Sequence, residues 1–196
     1  MSAQAARIDR GREAKPNGWW GMAVFVATEA TLFGAFVGTY FYLRFKSPVW
    51  PQGGLPEPKV VVPLVMAGVL LSSSIPMQLA SHATGAGRLA ATRAWLLLAL
   101  VVQAGYFAYE VHDFADQLQV FDLTVNAYSS IHYTLLGAAH AHVALGLLLD
   151  VWLLAKLAMG LTRYRVHATQ AIALYWHVVN VITLVVTLTL VSAAIG

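Results

Sequence analysis

Cysteine is absent from the 196-residue sequence, which excludes disulfides, thiolate-held metals and thiol catalysis. Charge is also scarce. Asp, Glu, Lys and Arg make up 11% of the chain, whereas soluble domains carry about 25%. The first residues, MSAQAARIDRGREAKPNG, lack the apolar core of a signal peptide and are expected to form a cytoplasmic tail over residues 1–17. Internal repeats and low-complexity tracts are not evident. What remains is an apolar chain, 59% hydrophobic, with the composition of an integral membrane protein. The net charge of +3 does not point to nucleic acid, because the basic residues lie at the ends of apolar runs.

Five such runs stand out, at about Trp19–Leu43, Val60–Ala80, Ala94–Tyr109, Tyr128–Ala158 and Ala171–Ala194. Each approaches or exceeds the ~20 residues that a spanning helix needs. The expected fold is therefore all-α, a bundle of five transmembrane helices over residues 18–196. The breaks between runs are polar or turn-rich. Ser47–Pro58 holds four prolines and two glycines, His82–Arg88 is short, Asp113–Asn126 carries three aspartates, and Gly160–Gln170 is basic. Pro63 fits the first turn of the second helix, and Pro76 predicts a kink within it. Nine of the 12 Lys and Arg residues fall on one side: Arg7, Arg10, Arg12, Lys15, Arg88, Arg93, Lys156, Arg163 and Arg165. The positive-inside rule then places the N-terminus in the cytoplasm and the C-terminus outside. Trp19, Trp20, Tyr40, Phe41, Tyr42, Trp95, Trp152, Tyr175 and Trp176 lie near run ends, as interfacial anchors do.

Glu29 sits in the middle of the first run. A carboxylate in hydrocarbon costs roughly 2.5–3.5 kcal/mol on insertion scales, so it normally faces protein or trapped water. Two readings stay open: a neutral acid bonded across a helix interface, or a group serving proton access or lipid contact. Gly34 and Gly38 form a GxxxG suited to close helix packing. Ser72, Ser73 and Ser74 have their own backbone carbonyls as acceptors. Gln103 and Glu110 are seven residues apart and share one helix face. His140 and His142 point about 200° apart and so do not chelate one metal. With His132 and His177 they supply no convergent ligand set, and interhelical hydrogen bonding outweighs metal ligation. His177 and Asn180 are one turn apart and are expected to join a common polar network.

Four segments together resemble the subunit III family of haem–copper oxidases. Phe25–Glu29 (FVATE) is similar to an F-x-x-S/T-E pattern with a buried carboxylate at Glu29. QAGYFAYE (103–110), HVALGLL (142–148) and YWHVVNV (175–181) follow in the family's order. Departures are Ala139 in place of a second histidine, Asn180 for an acid, Thr183 for a tryptophan and Gln170 for a glutamate. Five helices match the short bacterial forms rather than those with seven.

The resemblance implies a non-catalytic subunit with no cofactor of its own, haem and copper being held by partner subunits. It implies packing beside subunit I, with subunit II and other subunits in the same complex, in a bacterial plasma membrane. It also implies bound phospholipid and support of proton uptake and stable turnover during oxygen reduction. Glu29, Glu110, His142 and His177 are then the proton- or lipid-associated residues, and Gly34, Gly38, Trp176 and Asn180 the packing residues. Alternatives are a subunit III-like protein associated with nitric oxide reductase, or a freestanding small transporter. The absence of inverted repeats and paired broken helices speaks against the transporter.

Overall fold

The computed structural model describes residues 16–55 and 57–194. It is helical throughout, with no strand among the described residues. Helix α1 spans Asn17–Lys46, α2 Val61–Ser72, α3 Ser74–Gly85, α4 Leu89–Val120, α5 Ala127–Ala158 and α6 Arg163–Val191. Short 3-10 turns occupy Gln52–Gly54 and Ser192–Ala194. With α2 and α3 taken as one span, five segments are long and apolar enough to cross a membrane. A helix of 30 residues such as α1 is roughly 45 Å long. It exceeds the ~30 Å hydrocarbon core, so its ends reach the interfaces or the helix tilts. The basic tail residues Arg7, Arg10, Arg12 and Lys15 lie outside the described residues.

Helix α6 is the axis of the bundle. Half of its spanning window is buried, against 11% for α1, and α1, α2, α3 and α5 all pack on it. Helix α4 instead packs on α2, α3 and α5. One core joins Leu70, Met77, Leu96, Val143, Leu153, Tyr175 and Trp176. A second joins Phe33, Tyr40, Tyr128, Leu135, Ile182 and Val186. Trp176 of α6 is fully buried and lies so close to α5 that a Cβ at Gly146 would fall 2.5 Å from its ring. Glycine at 146 is what permits the approach. Gly160, at φ 96°, ends α5 in a conformation that L side chains resist, and its carbonyl accepts from Arg165 Nη1 at 2.6 Å. Asn126 and Ser129 cap the start of α5 reciprocally, at 2.9 and 3.1 Å.

Several expectations are corrected. The third span runs from Leu89 to Val120, so much of the Asp113–Asn126 stretch is helix rather than loop. Gln117 bonds Asp113 at 2.6 Å and His112 pairs with Asp116 at 3.3 Å, both at i,i+4 spacing. The Phe114 ring rests on Tyr133, and Gln117 meets His132. Polar residues that satisfy one another and dock on α5 carry the helix past its apolar run. The second span bends where Pro76 predicts: α2 and α3 meet at Ser73, which keeps helical angles of φ −63° and ψ −17°. Pro76 has no N–H and crowds the carbonyl four residues back, that of Ser72. Tyr40 and Tyr175 are fully buried against protein, the former accepting from Trp50 Nε1 at 3.1 Å.

Replacing Gly146 with alanine forces its methyl into the Trp176 indole. A loss of about 1–3 kcal/mol is expected, as for overpacked cores, read as a lower thermal midpoint of the subunit in membranes. An unchanged midpoint contradicts the contact.

Candidate functional site

Three of the four segments singled out in the sequence converge on one point. Glu29 from the middle of α1 and His142 from the middle of α5 meet with Oε2 and Nε2 2.9 Å apart. The Nδ1–H of His142 donates to the Ala138 carbonyl at 2.8 Å, which fixes the other ring nitrogen's role. If His142 is neutral, Nε2 is an acceptor and Glu29 must carry the proton and donate it. If His142 is doubly protonated, Glu29 is the accepting carboxylate. Both arrangements place one proton on the Nε2–Oε2 line and leave the pair with no net charge. Tyr175, opening the third segment on α6, donates its hydroxyl to the His142 carbonyl at 2.7 Å. Phe33 packs edge-on against the imidazole, with centroids 5.1 Å apart. Glu29 and His142 retain side-chain exposures of 20% and 16%, so the pair lies at a seam and not in the sealed core.

On the opposite flank of α5, His140 faces Glu110 of α4 across 3.4 Å. The 200° divergence of His140 and His142 thus sends each imidazole to a different carboxylate. Nearer the start of α5, His132 Nε2 lies 2.9 Å from Gln117 Oε1. Among the described residues no group of three or more His, Asp or Glu side chains is placed to hold a metal ion.

Asn180 and His177 both reach α3 but do not share one network. Asn180 Nδ2 donates to Ser74 Oγ at 2.8 Å and to Ser73 Oγ at 3.3 Å. His177 Nε2 donates to Gln78 Oε1 at 3.0 Å, and the Gln78 amide reaches His82 at 3.0 Å. Ser72 does bond back to a backbone carbonyl, Val69, at 2.6 Å, whereas Ser73 and Ser74 take up Asn180. Among the described residues Gly34 and Gly38 pack against no other helix: a Cβ at either meets nothing within 4 Å. Sequence reading missed Asp150, which is fully buried on α5. The signal was the same as for Glu29, an ionisable group inside an apolar run. It went unseen because Asp150 lies just past the HVALGLL segment.

The whole describes a multi-pass helical membrane subunit whose ionisable groups pair with one another across helices. Residues 13–193 match the family described as cytochrome c oxidase subunit III. The chain belongs to that family and so is a subunit III of a haem–copper oxidase complex. It is 28% identical over 168 residues to cytochrome c oxidase subunit 3 of Synechocystis sp., covering 85% of this chain and 71% of the relative. It is also 28% identical over 187 residues to a probable quinol oxidase subunit 3 of Staphylococcus saprophyticus, covering 93% and 92%. Identity to the cytochrome c oxidase subunit 3 of Bacillus sp. strain PS3 is 28% over 170 residues, covering 85% and 81%.

A hydrophobic carbodiimide supplied from the lipid phase should modify Glu29, since it reacts with protonated carboxyls. Glu29→Gln is expected to abolish labelling of the α1 peptide. Labelling that persists in the variant, or is absent from the native chain, contradicts a proton shared at this seam.

Proposed function

We propose that this chain packs beside subunit I of its oxidase and supports proton uptake and stable turnover there. The observation that carries the reading is the seam formed by Glu29, His142 and Tyr175, with its carboxyl at mid-span and still partly accessible. A neutral acid–imidazole pair is a group that lipid tolerates and that exchanges a proton without exposing a lone charge. The seam lies on the side of α1, whose spanning window is the least buried. That surface is left for lipid or for another subunit. Gly34 and Gly38 on α1 give a partner helix room for close approach. Glu110 and His177 complete the proton- or lipid-associated set, while Trp176 and Asn180 hold α6 to α5 and α3. Phospholipid occupies part of the seam, and haem and copper reside in the partner subunits. The N-terminus faces the cytoplasm of a bacterium, whose plasma membrane the chain spans. Relatives named for cytochrome c oxidase and for quinol oxidase leave both donors consistent with this role.

Affinity purification through a tag on this chain, in mild detergent, is expected to bring down a larger haem-bearing membrane subunit. Glu29→Ala should leave electron transfer in the assembled complex but shorten its active lifetime over repeated turnover. Isolation of the chain alone with stoichiometric haem, or immediate loss of all oxygen reduction in an assembled Glu29→Ala complex, would overturn the proposal.

A further inference from the structure

Helices α4 and α6 stand on either side of a cavity that the Glu29 seam does not use. It measures about 240 Å³, well above the ~10–15 Å³ needed for one water. Tyr106, Glu110 and Asp113 of α4 and Thr183 and Thr187 of α6 line it, as does His140 of α5. Glu110 and Gln103 occupy one face of α4, two turns apart. On α6, Thr183, Asn180 and Trp176 form a matching stripe at i, i−3 and i−7, which is one helix face.

From the cavity inward, this stripe carries Thr183 and then Asn180, each with an unpartnered side-chain oxygen. Thr183 is 3% exposed, lines the cavity, and its Oγ1 has no partner among the described residues. Asn180, one turn further in, bonds Ser73 and Ser74 through Nδ2 while its Oδ1 stays unpartnered. Ser73 Oγ lies 3.3 Å from the Gln103 amide. With its nitrogen turned toward α5, that amide donates to Asp150 Oδ2 at 2.8 Å and to the Ala99 carbonyl at 3.2 Å. This orientation gives both the Ala99 carbonyl and Asp150 Oδ2 a donor and leaves Asp150 Oδ1 as the oxygen that takes the proton.

Asp150 ends the series. It is fully buried, and the groups facing it are the Gln103 amide from α4 and the Trp176 indole from α6. Among the described residues it forms no ion pair. An ionised carboxylate so placed, without a counter-charge, is very costly in a low-dielectric interior.

We propose that Asp150 is a proton-binding carboxyl, loaded from the aqueous phase through a hydrated column running from the α4–α6 cavity past Thr183, Asn180 and Ser73. The step adds one proton to one carboxylate oxygen, and no other bond changes. Water held by Thr183 Oγ1 and Asn180 Oδ1 carries the proton; the amides of Asn180 and Gln103 fix its path. Glu110 and His140, which line the cavity, are the titratable pair that passes protons toward Thr183. The site is built from residues of this chain and does not depend on the role proposed for Glu29.

The test uses infrared difference spectra of the intact complex in membranes as H₂O is exchanged for D₂O. The native complex should show a protonated-carboxyl C=O band that shifts down on exchange. Asp150→Asn should lose that component, while Glu29→Gln removes a different one. Thr183→Val should keep the Asp150 component and slow its downshift. An unchanged carboxyl region in Asp150→Asn overturns the proton site, and an unchanged exchange rate in Thr183→Val overturns the column. Should Asp150→Asn fail to assemble, the Thr183→Val rate still decides, because its side chain keeps the native volume.

Discussion

The structure depends on one requirement: in hydrocarbon, an ionisable group must find its partner inside the protein. The Glu29–His142 bond meets that requirement at mid-span. Its 2.9 Å separation, together with the Nδ1–H bond that His142 makes to Ala138, leaves room for one proton and no net charge. Because the bond joins α1 to α5, it also ties the most exposed helix of the bundle to its interior. The same logic governs Glu110 with His140 and Asp150 with Gln103. Carboxyl groups on three helices each face a hydrogen-bonding group on another helix.

The apolar frame makes these meetings possible. Gly146 lets the Trp176 indole lie on the α5 backbone, which brings α5 and α6 close enough for Tyr175 to reach the His142 carbonyl. The bend at Ser73, which Pro76 favours, lies where the Ser73 and Ser74 hydroxyls meet Asn180 and Gln103. A proline with no polar role of its own thus favours the geometry of a polar cluster. A glycine with no side chain sets that of the seam.

Much of this was legible in the residues. Apolar runs separated by proline, glycine and charge located the five spans, and the placement of Glu29 marked it as a group needing a partner. The angular argument for His140 and His142 set them on different flanks of one helix, where the structure has them, although it did not name Glu110 and Glu29 as their separate partners. Pairing between helices distant in sequence leaves no local trace. Asp150 carried the same local signal as Glu29 but lay just past the segment that drew notice, and Tyr175, an aromatic near a run's end, resembled an anchor when it is a buried donor. The extension of α4 to Val120 rested on side-chain bonds at i,i+4 and on docking to α5, neither of which a hydropathy run records. Gly34 and Gly38 illustrate the converse: a motif for close packing that no helix among the described residues fills.

A double-mutant cycle on Glu29 and His142 addresses the central bond most directly. Glu29→Leu, His142→Leu and the double variant would be compared by the unfolding stability of the subunit in the purified complex. Removing one partner strands the other, so the account predicts strong non-additivity, a coupling of about 1 kcal/mol or more. Additivity to within about 0.3 kcal/mol would contradict it.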